Sequence, residues 1–591
     1  MEALEPRVLL ADELIVGIGD VNFKPVHLPD DKIEVPITIQ NVSASQISGK
    51  IRVRIWASNE DILDASDYLC FDGDISINPR ANQVQLKKLK ARLPLHMVPD
   101  EYQFIVQVSE AQSMLPTGVT FAEPVADDDE TFDLRWQFGS VDGRSGNTTL
   151  RFMNSDDVIY KMNFSRGFDG FEFGEVFIGP FAVAAAVERG PVPFDQELNL
   201  MLRDTSFDDA VAIRRVGGPK DPGLFYLAGI FTGFALTGAR SDFGGIGFFD
   251  APDLTLYGES SFNGGVHKLF LGDIINANQV GISGVPFAHR TSSGARGAEP
   301  LLDRVSIKVR DVVGTRFIID NMVLANMKAD SFSGELPILD GIGGILANSI
   351  DRVEIRNDFE GYVEVIPPDF LRGGGLELPE NAINRFVVGG HLTGGLFAFG
   401  DVARLQAGSI GAFEAAIHGR LERLEVKHGI NEDLLPDALR GPPPITTIIG
   451  AKDISRVDIG GDVYLAQVFA GLAQQMLRGG FEPGSIYGGT VANTAITSGI
   501  IGRINIGGDM FISEFAAGVN PDGGTFFSGT GRFLIGDRSV SRIGPVKVGG
   551  VAMNQARFVS GDFPDNVSIN GSSYSTPIDP EGLFVFAFPQ L

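Results

Sequence analysis

Arg456-Val457-Asp458-Ile459-Gly460-Gly461-Asp462 and, 47 residues later, Arg503-Ile504-Asn505-Ile506-Gly507-Gly508-Asp509 are two copies of one phrase. An arginine leads a short strand in which apolar and polar residues alternate, and a glycine pair closes it. Arg385-Phe386-Val387-Val388-Gly389-Gly390 is a third copy. Weaker ones are Arg304-Val305-Ser306-Ile307, Arg352-Val353-Glu354-Ile355, Arg404-Leu405, Arg423-Leu424-Glu425-Val426 and Pro545-Val546-Lys547-Val548-Gly549-Gly550. Arg385, Arg404 and Arg423 stand 19 residues apart, and the longer intervals carry insertions such as Gly441-Pro442-Pro443-Pro444.

A recurring unit near twenty residues with strand-like alternation is the mark of a β-solenoid. One such coil cannot bury its own apolar positions. Stacking the next coil above it continues both the hydrogen-bond ladder and the internal side-chain column. Alternation then sends Val457, Ile459, Ile504 and Ile506 inward and Asp458 and Asn505 outward. The corner glycines Gly389, Gly390, Gly460, Gly461, Gly507 and Gly508 are expected to adopt φ > 0 and to leave no room for a Cβ. Insertions allowed for, the phrase predicts a right-handed parallel β-helix of roughly ten to fourteen rungs, on the order of 50–70 Å long. A β-propeller would repeat at about 40 to 45 residues, and the paired 19-residue intervals argue against it. A string of Ig-like sandwiches is the other architecture weighed. A short helix around 466–477 remains open, although a strand of small residues fits the period better.

The composition agrees with an all-β chain. Of 591 residues 74 are Gly and 44 Phe beside 2 Trp, which implies many tight turns without a collagen period. Hydrophobic residues at 43% supply material for large cores and exclude general disorder. The net charge of −27 weighs against a nucleic-acid partner, because a phosphate backbone needs a basic face. The single Cys70 excludes an intrachain disulfide framework. There is no apolar run of the length a transmembrane helix needs. Glu2, Glu5 and Arg7 interrupt any conventional signal-peptide core.

The opening, Leu4-Glu5-Pro6-Arg7-Val8-Leu9-Leu10, resembles the LEPR-XLL motif of large bacterial surface and secreted proteins. The resemblance implies export to the cell surface or the medium, carried by Leu4, Glu5, Pro6, Arg7, Leu9 and Leu10. Residues 14–110 alternate as half-buried strands, as in Ile33-Glu34-Val35-Pro36-Ile37-Thr38-Ile39 and Ile51-Arg52-Val53-Arg54-Ile55-Trp56. The line from Trp56 to Asp67, with Thr38–Ser43 before it and Tyr102–Val108 after it, resembles the CARDB family of Ig-like modules. That implies a β-sandwich used for adhesion or spacing. Residues 111–225 read as a small β domain or the solenoid's N-terminal cap, with a linker at 126–130 and a hairpin around 154–157. Residues 226–575 form the solenoid, and 576–591 are a C-terminal strand that pairs with or covers the last rung.

No catalytic constellation emerges. The seven histidines lack metalloprotease spacing, and His391 takes the corner position that Asp462 and Asp509 occupy in other copies. Calcium solenoids repeat Gly-Gly-x-Gly-x-Asp at nine residues, and the Gly-Gly-Asp corners here lie much farther apart. Asp61, Asp64, Asp67 and Asp522 are the candidate Ca2+ ligands, with loop capping as their simpler role. Asp351, Glu354, Asp358 and Glu360 are candidates for polysaccharide cleavage, but an acidic solenoid carries carboxylates on every face. The leading expectation is a non-enzymatic extracellular adhesion scaffold whose partners are cell-envelope or matrix components, polysaccharide included. A β-helix polysaccharide lyase or glycoside hydrolase is the alternative, and a calcium-stabilised surface-layer component the third.

Overall fold

The computed structural model describes residues 13–24, 26–98, 100–111, 119–121, 124–126, 130–134, 136–138, 149–153, 157–165, 175–178, 197–203, 209–218, 226–232, 245–284, 303–334, 343–366, 381–432, 447–471, 499–518, 541–553, 556–560, 566–574 and 584–587. These residues are strands and turns, with no α-helix among them. The chain divides into two compact units, 1–204 with 211–225 and 205–210 with 226–591.

In the first unit, Glu13–Ile18, Lys32–Asn41 and Val84–Arg92 pair antiparallel in one sheet, and Thr120–Phe121 joins its far edge. Gly49–Ser58, Tyr68–Ile77, Asp100–Glu110 and Val125–Ala126 form a second. The period-two pattern explains the burial. Ile33, Val35, Ile37 and Ile39 from one sheet and Ile51, Val53 and Ile55 from the other share one core, each at most 3% exposed. Val84–Arg92 is an edge strand carrying Lys87, Lys88, Lys90 and Arg92, charges that discourage pairing with another chain. The expected hairpin is present: Thr149–Met153 pairs antiparallel with Ile159–Ser165.

The second unit is a repeat-like stack of parallel strands. Twelve of them follow one another: Ile246–Ala251, Val266–Leu271, Asp303–Lys308, Met322–Ala329, Ile350–Ile355, Asn381–Val388, Asp401–Ala407, the end of Ser409–Val426, Val457–Ile459, Ile504–Ile506, Val546–Val548 and Val567–Ile569. Their register puts like residues over like. Leu269, Ile307, Met327, Val353, Phe386, Leu405, Leu424, Val457, Ile504, Val546 and Val567 form a single inward column, none above 2% exposed. Burying each such side chain is worth about 1.5–3 kcal/mol, so the column supplies much of the stack's cohesion. Asp458 and Asn505 lie on the opposite, outward side, as alternation requires.

A second row of strands runs from Ser260–Gly264 through Phe359–Val365, His391–Ala398 and Thr447–Ile454 to Arg557–Ser560. The alanine-rich pieces belong to it as strands: Ala412 to Ala416 within Ser409–Val426, and Ala466–Ala470. The open helix at 466–477 is therefore replaced by a strand over its described part. Phe584–Ala587 pairs antiparallel with Arg557–Ser560 at the end of this row.

The corner glycines require one correction. None of Gly389, Gly390, Gly460, Gly461, Gly507 and Gly508 has a positive φ. They are glycine because the neighbouring rung is too close. A Cβ on Gly389 would strike the Arg356 carbonyl, on Gly460 that of Lys427, and on Gly507 that of Gly460. Left-handed backbone in this unit falls instead at Asn276, Asn278, Asn321, Asn431 and Asn570, whose short polar side chains tolerate that region, at Leu465 and Ile512, and at other glycines such as Gly264, Gly400, Gly471 and Gly518.

Candidate functional site

Three arrangements of polar side chains stand on this stack. The first lies at the corners. Asp509 N–H donates to Asp462 Oδ1 at 2.7 Å, and Val551 N–H donates to Asp509 Oδ1 at 2.7 Å. Below them, Asp462 N–H donates to Glu432 Oε1 at 3.2 Å. His391 N–H donates to Asp358 Oδ1 at 2.7 Å, so the histidine does sit at the corner position, with Nδ1 2.8 Å from Ser409 Oγ. The glycine pair and the aspartate are thus one device. Close approach of the rungs lets a carboxylate reach the next corner's amide, a charge-assisted bond.

The second arrangement is an arginine column on the outward face. Arg352 lies in register with Arg385, and Arg404 with Arg423. The neighbouring pairs Leu424↔Val457 and Val457↔Ile504 carry Arg456 and Arg503 into the same line. Two positions after each arginine a second column reads Glu354, Val387, Gln406, Glu425, Asp458 and Asn505. Its carboxylates are shared. Arg404 Nε donates to Glu425 Oε2 at 2.7 Å, and Arg423 pairs with the same carboxylate. Asp458 lies 3.6 Å from Arg423 and 2.5 Å from Arg456. Arg352 and Lys328 both pair with Glu354; burial pushes that carboxyl up, but the two cations outweigh it and hold it below the usual range. Where the second column is Val387 or Asn505, Arg385 and Arg503 have no ion pair among the described residues, and Arg385 Nε is buried without a partner. A shallow cleft of about 340 Å³ opens here, lined by Arg404, Gln406, Glu425, Lys427, Asp458 and Asn505.

The third arrangement was not visible in the sequence. Register sets Glu414 beside Ile448, then Gln467, then Glu514 on successive strands of the second row. Gln467 is 1% exposed with neither amide atom partnered. Burial pushes the Glu414 carboxyl up to about 7, because a low-dielectric surround penalises the charged form. Only the pairing register brings these residues together, since 100 positions separate Glu414 from Glu514.

The sequence-selected carboxylates do not converge. Asp351 pairs with Arg304 and accepts from Asn384 Nδ2 at 3.1 Å, Glu354 joins the arginine column, Asp358 holds a corner and Glu360 is exposed. In the first unit, Asp61 accepts from Gln103 Nε2 at 2.6 Å, Asp64 binds Ser66, and Asp67 accepts from Asp64 N–H at 2.7 Å. These three brace their loop. Among the described residues no group of three or more His, Cys, Asp or Glu is placed to hold a metal ion. Asp522 and the motif Leu4–Leu10 lie outside the described residues. No helix among the described residues is long and apolar enough to cross a membrane.

No family model matches the chain, and no curated protein does. Among solved structures, a β-glucosidase of Erythrobacter marinus aligns with 20% of this chain at 12% identity and a TM-score of 0.13, and the chain spans 15% of its length. Spo0M, a sporulation control protein of Bacillus subtilis, aligns over 28% of this chain and 74% of its own at 9% identity and a TM-score of 0.14. Similarity at that level carries no argument.

Proposed function

We propose that the chain is a non-enzymatic, extracellular scaffold of a bacterial surface. An Ig-like, CARDB-type β-sandwich at 14–110 precedes a right-handed β-solenoid at 226–575, with 111–225 between them and 576–591 as the terminal strand. The observation that carries this reading is the arginine column: charged side chains of the phrase pair with those of neighbouring rungs, as a scaffold requires. For the Ig-like module, Tyr102 near the start of Asp100–Glu110 donates from its hydroxyl to the Val98 carbonyl at 2.9 Å, a tyrosine-corner contact. Cell fractionation combined with protease shaving of intact producing cells tests the location. Release of the chain by shaving, or recovery from the medium, is expected; full protection in the cytoplasm would refute the surface role.

A second reading, a polysaccharide-cleaving enzyme, has one observation in its favour. The Glu414 carboxyl, pushed up to about 7 by burial, would carry its proton on about half the molecules at neutral pH, where a general acid works best. Turnover of acidic or neutral glycans that disappears in Glu414→Gln would promote it.

A further inference from the structure

We propose that the outward arginine column between residues 385 and 505 binds an acidic polysaccharide, with the cleft at Arg404, Gln406, Lys427 and Asn505 as its central subsite. The proposal deepens the surface-scaffold reading and rests on it for the encounter with such a polymer.

The charge balance is local and runs against that of the chain. Five arginines, Arg385, Arg404, Arg423, Arg456 and Arg503, face two carboxylates in the adjoining column, Glu425 and Asp458. Lys427 adds a sixth cation at the cleft, and Glu422, exposed beside Arg423, is a further carboxylate on this stretch. On the strands themselves, with the corner carboxylates Glu432 and Asp462 left aside, six cations stand against three carboxylates, on a chain of net charge −27. Screening decides which of the two a ligand feels. At physiological salt the Debye length is about 8 Å, so a bound ligand feels mainly the charges of the rungs it touches and distant carboxylates are largely screened.

Geometry narrows the ligand. In-register pairing presents one arginine per rung, about 4.8 Å apart, a spacing on the scale of one sugar residue in an extended polymer. Arg385 and Arg503, at the two ends, have no carboxylate two positions on and no ion pair among the described residues, which leaves their guanidinium groups for an incoming anion. Between them, the Gln406 and Asn505 amides line the cleft. Side-chain amides donate and accept, which suits sugar hydroxyls. Gln406 Oε1 is buried without a partner, an acceptor that a hydroxyl would satisfy. The cleft is open and bordered mainly by charged and amide-bearing residues, which fits a chain laid along the surface more than a small apolar molecule held in a pocket. A nucleic acid carries one phosphate per about 1.7 Å of duplex axis, a density that one arginine per rung does not match.

The test uses the full chain in affinity electrophoresis through gels containing polygalacturonate, with dextran as the neutral comparison and duplex DNA as the polyphosphate. Retardation by polygalacturonate, weakening as salt rises, and none by dextran is the expected result. The double variant Arg385→Gln/Arg503→Gln removes two cations without breaking an ion pair, and should lower the affinity at least tenfold. Lys88→Gln, in the first unit, should leave it within twofold. Amide-exchange protection of the double variant equal to that of the parent chain excludes unfolding as the cause. No retardation by polygalacturonate, equal retardation of the double variant, or tighter binding to DNA would each overturn the proposal. The two readings fail separately: a cytoplasmic chain that binds polygalacturonate refutes the surface role, and a surface chain that ignores it refutes the cleft.

Discussion

Replacing Gly507 by alanine separates two explanations of the glycine corners. Gly507 lies outside the left-handed region, so a Cβ there carries no φ penalty of its own. It would, however, meet the carbonyl oxygen and carbon of Gly460 in the preceding rung, both fixed backbone atoms. Relief requires the corner to open, and two hydrogen bonds cross that gap: Gly507 N–H to the Ile459 carbonyl at 2.8 Å and Gly508 N–H to that of Gly461 at 3.0 Å. Each is worth about 1 kcal/mol net. Forcing an extra methyl into a packed site costs about 1–3 kcal/mol. The opposing gain from a stiffer unfolded chain is about 0.4–1 kcal/mol. The expected loss is therefore about 2–4 kcal/mol, with Gly507→Asn no better than alanine. Gly571 is the matched control, at φ 76° with nothing within 4 Å of a built Cβ. There alanine should cost about 1–2 kcal/mol, and asparagine less. Native-state amide exchange at residues 504–509 reads local opening directly, which suits a stack whose stability is nearly a sum over neighbouring rungs. A Gly507→Ala chain within 0.5 kcal/mol of the parent, or one rescued by asparagine, would refute the close-approach account.

Ile504→Ala removes a side chain buried between Val457 and Val546 and should cost about 2–5 kcal/mol; Asn505→Ala, one position on and outward, should stay within about 0.5 kcal/mol in denaturant titration. Asp462→Ala deprives Asp509 N–H of its acceptor and the Tyr464 hydroxyl of its partner at 3.0 Å, a loss of about 1–2 kcal/mol; Asp462→Asn keeps an acceptor and should lose less than half as much. The Glu414 carboxyl, raised by burial from 4.5 to about 7, binds more protons folded than unfolded across that window. Stability from this group is therefore present in full below pH 4.5 and is lost as pH rises through 7. Glu414→Gln should flatten the melting-temperature profile over that range and raise stability at pH 8 by about 1–3 kcal/mol; an unchanged profile would show that the carboxyl is solvated.

The stacked strands were legible because their signal is local. Val457-Asp458-Ile459 and Ile504-Asn505-Ile506 declare their inward and outward sides within three residues, and the following glycine pair marks where the strand stops. The glycine mechanism was only half legible. Sequence suggests both φ > 0 and a missing Cβ at such a corner, and only coordinates show that the neighbouring backbone makes the choice. The asparagine corners went unnoticed, since Asn321 and Asn431 have no distinctive neighbours and their roles depend on reaching across rungs, as when Asn431 Nδ2 donates to the Tyr464 carbonyl at 2.9 Å. The Glu414–Gln467 juxtaposition was illegible for the same reason. The strands that carry those two residues enter one column only once the intervening Thr447–Ile454 has taken its place between them.

In-register stacking also explains why arginine leads the phrase. Parallel rungs place identical positions about 4.8 Å apart, so a column of carboxylates alone would repel at about 0.9 kcal/mol per neighbouring pair in water and about four times that at an effective dielectric of 20. An acidic chain that repeats a Val-Asp-Ile strand needs a cation at every level where it keeps the acid. Arg423 meets that need twice, pairing with Glu425 in its own rung and approaching Asp458 in the next. The acid is absent at Gln406, where Arg404 pairs with Glu425 of the next rung, and at Val387 and Asn505, where the arginine is retained without an ion pair among the described residues. Neutralising a neighbouring carboxylate cannot account for those two guanidinium groups, and an anion from outside the chain can.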